Sequence, residues 1–386
     1  MTQVSIVIPC YNYGRFLREA VESSISQTWR EKEVCVVDDG STDSTGELLR
    51  ELDPSVLVLR VANGGVARAR NLGARETSGE WLCFLDGDDG LEPGRLERCR
   101  EVLGRTRAAA IICGWRDVDD DGAPLADAIP HPIGSGLDYL LANRSFPVHC
   151  ALVRRSAFAA AGGFFEGEMG PSWPEDTDLW FRLAAMSGGF EFVPEVLCRF
   201  RRHSRTVSRS ERIRESQVGF RQMIARLGGL LRDVVPADGL RKYHVLVETS
   251  FACRYLRRGD LAAARETLRY VWELCEKSST WIAVAEEWTA RHGGQDDAVV
   301  EGWTGALAYV PGSGRKPALV AMEIALAERA AARGDVEKAR RRALSAALRS
   351  PRLAMAPEAR SQLVRAVIGP EAVWTLRRLR ESLRPG

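Results

Sequence analysis

No window of this 386-residue chain approaches the roughly 20 consecutive apolar residues that a membrane-spanning helix requires. The opening MTQVSIVIPCYN lacks the basic start and long apolar run of a secretory leader, so a cytoplasmic protein is expected. Arg-rich segments such as TLRRLRESLRP leave peripheral membrane contact open, although a solvated helix face is the plainer reading. Paired cysteines are missing as well. The nine cysteines are odd in number and scattered singly with no C-x-x-C, so they read as buried free thiols, not a disulfide framework or zinc site. Charge of one sign is not in excess either: a net +2 gives no general attraction to nucleic acid, and no nucleic-acid partner is expected. There is no low-complexity tract.

What is present is an ordinary globular composition, 45% apolar and 27% charged, in a chain long enough for two domains. Up to about residue 200, short apolar runs alternate with helical patterns. VSIVIP, EVCVVDD, SVLVLRV, WLCFLD and AAAIICGW read as strands. GRFLREAVESSISQT, STDSTGELLREL, GVARARNLGARET and PGRLERCREVLG read as helices between them. This alternation predicts an α/β domain with a mostly parallel sheet flanked by helices. Beyond residue 210, strand signals nearly vanish. Residues 253–274 and 328–351 look alike, each a helix, a Gly-Asp turn and a second helix with alanines at close-packing positions. The expected organisation is therefore an α/β domain over 1–210 and an all-α domain of repeat-like helical hairpins over 211–386.

WLCFLDGDDG raises the functional question. A buried-looking strand runs into Asp86, Asp88 and Asp89, three like charges that repel unless something positive sits among them. Hard carboxylate oxygens suit Mg²⁺ or Mn²⁺; an exposed acidic turn is the alternative. VVDDGSTDST places Asp38 and Asp39 at the tip of another strand, where a carboxylate can accept a hydrogen bond from a base edge. Ligands of open α/β sheets bind beyond the carboxyl ends of the strands, so both acidic clusters would lie on one edge.

In order and spacing, SIVIPCYNYGRFLREAVESSISQT, EVCVVDDGSTDST, NGGVARARNLGARETSGEWLCFLDGDD, GGFFEG and WPEDTDLWFRL resemble the family 2 glycosyltransferases of GT-A, Rossmann-like fold, over roughly residues 3–205. The resemblance implies a metal-dependent inverting transfer of a sugar from a nucleoside-diphosphate donor, a UDP-sugar favoured, to a hydroxyl of a glycan or small-molecule acceptor. It implies that Pro9 and Tyr11 line the nucleotide pocket, that Asp39 binds the base with Asp38 beside it, and that Arg70 lies near the nucleotide. Asp86 and Asp88 form the D-x-D element for ribose, diphosphate and metal, with Asp89 extending the acidic set; His203 can reach the metal or diphosphate. Asp176 is the implied catalytic base, with Glu175 its neighbour and acceptor contact, and His149 borders the acceptor site. For Asp176 a helix cap is the alternative, and Asp178 reads as a first-turn acid facing the helix dipole. Where the family often reads GGFDE, this chain has GGFFEG: Phe165 replaces an acid whose place Glu166 can take.

Two other classes stand against the transferase. One is a non-catalytic nucleotide-sugar-binding scaffold that recruits a protein partner, or self-associates, through the helical half; the full set Asp39, Asp86, Asp88 and Asp176 counts against it. The other is a nucleotidyltransferase, which wants a Gly- and Lys/Arg-rich loop after the first strand, and PCYNYGRF is a poor match.

Overall fold

The computed structural model describes residues 3–274, apart from residues 133, 168–172, 187, 204–211 and 236. Strands β1 (Val4–Cys10), β2 (Lys32–Asp38), β3 (Leu57–Arg60) and β4 (Trp81–Phe84) alternate with helices α1 (Leu17–Ile25), α2 (Thr45–Arg50) and α3 (Val66–Arg75). There follow β5 (Gly90–Leu91), α4 (Arg95–Leu103), β6 (Ala110–Val118), β7 (Pro124–Ala128) and α5 (Gly136–Leu141). A 3₁₀ turn (Val148–Cys150) leads into β8 (Ala151–Arg154), α6 (Arg155–Ala160), α7 (Glu175–Ala184) and β9 (Phe190–Arg201). The last described helices are α8 (Ile213–Leu230), α9 (Ala237–Arg257) and α10 (Leu261–Leu274).

Among the described residues one sheet runs β3-β2-β1-β4-β8-β6-β9-β5, with β7 paired on β6. β1 and β4 are wholly buried, as predominantly apolar strands are when helices cover a sheet, and Ser5 is the one polar residue buried within β1. The expected α/β architecture is present, with a mixed sheet. β3, β2, β1 and β4 are parallel, as is the β6–β9 pair, whereas β8 runs antiparallel to both β4 and β6. β5 and β7 are also antiparallel to their partners. The β6–β7 hairpin turns at Asp121-Gly122, with Gly122 at φ 86°, a D-G turn signal that propensity along the strands does not reveal.

Close packing of α3 on this sheet depends on one glycine. A Cβ at Gly73 would lie 2.3 Å from Val7 Cγ1 and 3.2 Å from Val37 Cγ2, so β1 and β2 occupy the space a side chain needs. Gly73→Ala is expected to destabilise by about 1–3 kcal/mol, an overpacking cost larger than the helix propensity alanine gains. Thermal melting reads this directly, and an unchanged Tm would show that α3 moves off the sheet freely.

The chain divides into compact units at 1–237 and 238–386, so the boundary lies beyond the expected 210–211. The reason is α8, which the sequence reading assigned to the helical half. Its Arg226 ion-pairs with Asp178 of α7 and stacks over the Phe165 ring at 4.3 Å, tying α8 to the first unit. In the second unit, α9 and α10 form an antiparallel hairpin, with His244 and Tyr270 ring centroids 5.5 Å apart. It turns at Gly259 (φ 74°), and Asp260 Oδ1 accepts from Ala263 N at 3.0 Å to start α10. This is the first of the two expected hairpins; the second, 328–351, lies outside the described residues. No helix among the described residues is long and apolar enough to cross a membrane.

Candidate active site

β1 lies between β2 and β4 in parallel register, Cys10 opposite Asp38 and Val7 opposite Phe84, so all three strands end on one edge. The two acidic clusters therefore meet there, as expected. The β2 end is built by local hydrogen bonds. Asn12, at φ 58°, accepts from Thr42 N (2.9 Å) and Asp43 N (3.3 Å) through Oδ1. Gly40 sits at φ 80° with Asn63 N 2.8 Å from where a Cβ would be, so the turn admits only glycine. Asp39 accepts from Gly64 N and Gly65 N, each at 2.8 Å, and so pins the N-G-G loop to the strand tip. Asp38 takes part in the turn itself. It is wholly buried, accepts from Ser41 N at 2.8 Å and faces Arg60 Nε at 3.2 Å, and its carboxylate builds the loop. Tyr11 is 45% exposed just past β1, open to a flat ligand, while Pro9 is buried within β1 opposite Val37.

The carboxylates of the D-G-D-D turn each face a different basic side chain: Asp86 faces Arg70, Asp88 faces His203 and Asp89 faces His149. Arg70, its side chain 4% exposed, bridges Asp86 Oδ1 and Glu175 Oε1, both at 2.7 Å. Its pKa is raised against the opposing effect of burial by those two acids, so it is a permanent cation. Asp88 Oδ2 lies 2.8 Å from His203 Nε2, and the imidazole stacks on Phe16 at 5.2 Å. Asp89 turns inward. Its Oδ1 accepts from Arg201 N at 2.7 Å, its Oδ2 lies 3.0 Å from His149 Nδ1, and burial pushes its pKa up to about 6 against the His149 pull.

Asp89 locks the end of β9 through Arg201 N, and His149 is 0% exposed and stacked near Phe200. Asp88 and His203 offer one carboxylate oxygen and one imidazole nitrogen 2.8 Å apart, donor types that Mg²⁺ or Mn²⁺ accepts, and Asp86 is 31% exposed in the same turn.

Asp176 is the second residue of α7, whose cap position is Pro174, so it is not the helix cap. Its Oδ1 accepts from Thr177 N at 2.6 Å. Burial raises its pKa, with Arg70 opposing and Asp86 adding to the rise; Glu175 is raised likewise by burial, against Arg70. Asp178 is a first-turn acid of α7, as expected, and is also fully buried. Its charge is paired within α7 by Arg182 (2.6 Å) and across to α8 by Arg226.

Sequence reading passed over several contributors. Asn71, next to Arg70, accepts from Phe164 N (2.9 Å) and donates to Glu166 Oε1 (2.6 Å), so Glu166 anchors the G-G-F-F loop as the missing acid would. The adjacent A-R-N motif was the available signal. Tyr13 lies against Asp88 with its hydroxyl pKa raised by burial and then by the three aspartates. Arg201, by contrast, lies in the basic run around His203 that the sequence suggests could add positive potential for phosphates; from the far end of β9 it reaches Asp88 O at 3.0 Å and pairs with Glu19.

The profile of glycosyl transferase family 2 matches residues 5–161. Those residues are a family 2 glycosyltransferase domain. The chain is 30% identical over 210 residues to an uncharacterised glycosyltransferase of Rickettsia typhi, covering 52% of this chain and 64% of that protein. It is 37% identical over 133 residues to a chondroitin synthase of Pasteurella multocida, covering 33% of this chain but 14% of the synthase. S. aureus TarS 1-349, solved in complex with UDP-GlcNAc, superposes with a TM-score of 0.56 at 15% identity, covering 82% of this chain and 90% of that one. At that identity the likeness carries the GT-A fold alone. The chain thus spans less than two thirds of these curated relatives.

Proposed function

We propose that the chain moves a sugar from a nucleoside-diphosphate donor to an acceptor hydroxyl in one inverting displacement. The observation that carries this reading is Arg70, which ion-pairs with both Asp86 and Glu175, so that Asp176, the residue after Glu175, would lie on the same side as the diphosphate. Tyr11 would flank the base and Asp39 receive its edge. Asp88 and His203 would hold a divalent cation, which supplies neutralisation of the leaving diphosphate. Asp176 would take the proton of the acceptor hydroxyl as that oxygen bonds the anomeric carbon and the sugar–phosphate bond breaks. Burial raises the Asp176 pKa, which makes its carboxylate a stronger base for this task than an exposed one. Uridine is the preferred base on the strength of the motif resemblance, and the acceptor is a glycan or small-molecule hydroxyl.

The test is calorimetric titration of UDP, dTDP and GDP, with and without Mn²⁺. One diphosphate should bind with metal, and Asp88→Asn or His203→Ala should weaken that binding by about 10–100-fold. No binding of any of the three would sink the transferase reading and favour a scaffold acting through the helical unit.

A further inference from the structure

Apart from the active-site edge, the chain buries a cluster of sulfur that the transferase chemistry does not use. Cys113 on β6, Cys150 at the end of the 3₁₀ turn and Cys198 on β9 place their sulfurs within 4.8 Å of one another. The Cys113 and Cys198 Sγ atoms are 3.5 Å apart, and none of the three side chains is more than 1% exposed. Sequence spacing could not announce this group, because the residues come from three separate elements.

A second observation points at the same place. Arg95, the first residue of α4, is 0% exposed. Its Nη1 donates to Cys83 Sγ at 2.9 Å, whereas Nε and Nη2 have no hydrogen-bond partner among the described residues. No carboxylate pairs with it there either, and the ionisable groups acting on it most strongly are the thiols of Cys198, Cys83, Cys113 and Cys99. A fully buried guanidinium without a counter-charge is a costly arrangement. Neutral thiols leave it so.

We propose that Cys113, Cys150 and Cys198 bind a zinc ion as thiolates, with Arg95 as the balancing charge. The charges close. Binding releases three protons to solvent, the three thiolates and Zn²⁺ together carry one negative charge, and Arg95 supplies one positive charge. Soft sulfur selects zinc over the hard cations suited to Asp88 and His203. Zn–S bonds of about 2.3 Å put tetrahedral sulfurs about 3.8 Å apart, close to the spacing already present. The ion would tie β6 to β9 and to the entrance of β8, independently of any donor bound at the edge.

The full chain, purified in reducing buffer without chelator and supplied with Zn²⁺, should retain about one zinc per molecule after desalting, with X-ray absorption showing three sulfur ligands at about 2.3 Å. Cys113→Ser and Cys198→Ser should each lose most of that metal. Cys35→Ser, which alters another buried thiol, should keep it, as should Asp88→Asn. Because the serine variants can fail to fold, the sulfur shell of the unaltered chain is the deciding measurement. A chain that holds no zinc, zinc with only oxygen and nitrogen ligands, zinc lost in Asp88→Asn but kept in Cys113→Ser, or a Cys113–Cys198 disulfide on mass analysis would each overturn the proposal.

Discussion

Asp176→Asn is expected to lower kcat by about 10²–10⁴-fold, the usual worth of a positioned general base. The fold and donor affinity should stay near those of the unaltered chain. Asparagine keeps an oxygen for Thr177 N, so the start of α7 retains its hydrogen bond. What is lost is the ability to accept a proton from the acceptor. The pH profile supplies an independent check. Burial raises the Asp176 pKa despite the opposing Arg70 charge, so the acid limb of kcat/KM should lie above the ordinary carboxylate range of about 3.9. On that limb the base is protonated, and the rate should fall about tenfold per pH unit as pH drops. Glu175 lies next to it with its own pKa raised by burial, so the limb belongs to the pair and not to one carboxyl. Asp176→Asn with near-normal kcat would remove the base assignment while leaving the donor site untouched.

The second large effect is one of stability. Arg70→Met keeps much of the side-chain volume but leaves Asp86 and Glu175 without their shared cation. The arginine side chain is 4% exposed and Glu175 19%, so water does little of the screening that weakens surface pairs. Breaking a buried ion pair on one side costs about 3–5 kcal/mol. The guanidinium also lies over the Phe164 ring at 5.1 Å, and methionine cannot reproduce that cation–π attraction. The expected result is a marked drop in denaturation midpoint at neutral pH, with activity abolished as well. Arg70→Met/Glu175→Gln should recover part of the stability, because one stranded acid is removed, but not the activity. A denaturation midpoint unchanged in Arg70→Met would show that the two acids find other partners and that the bridge is incidental.

Much of the donor side was legible in advance, for a physical reason. In a parallel sheet the strand ends share an edge, so Asp38, Asp39, Asp86 and Asp88 could be placed together from strand order alone. What each acid does there was not legible. Asp38 and Asp39 are adjacent and alike in type, yet one closes its own turn while the other clamps the N-G-G loop. The same holds for Asp88 and Asp89, of which one faces His203 and its neighbour faces His149 in the core. Successive residues in a tight turn point in different directions, and residue type does not record direction.

By itself the sequence determined the alternation of strands and helices, the buried β1 and β4, the acidic strand tips and the helical texture after residue 210. These follow from hydrophobic period, β-branched runs and turn residues, all local quantities. Only the tertiary structure decided that the sheet is mixed beyond β4, that α8 belongs with the first unit, and that Arg70 pairs with Glu175, 105 residues further along the chain. It alone gathered Cys113, Cys150 and Cys198 around the buried charge of Arg95. Local pattern reports which residues leave water, whereas the partners of a buried charge are set by what the remaining chain brings within a few ångströms of it.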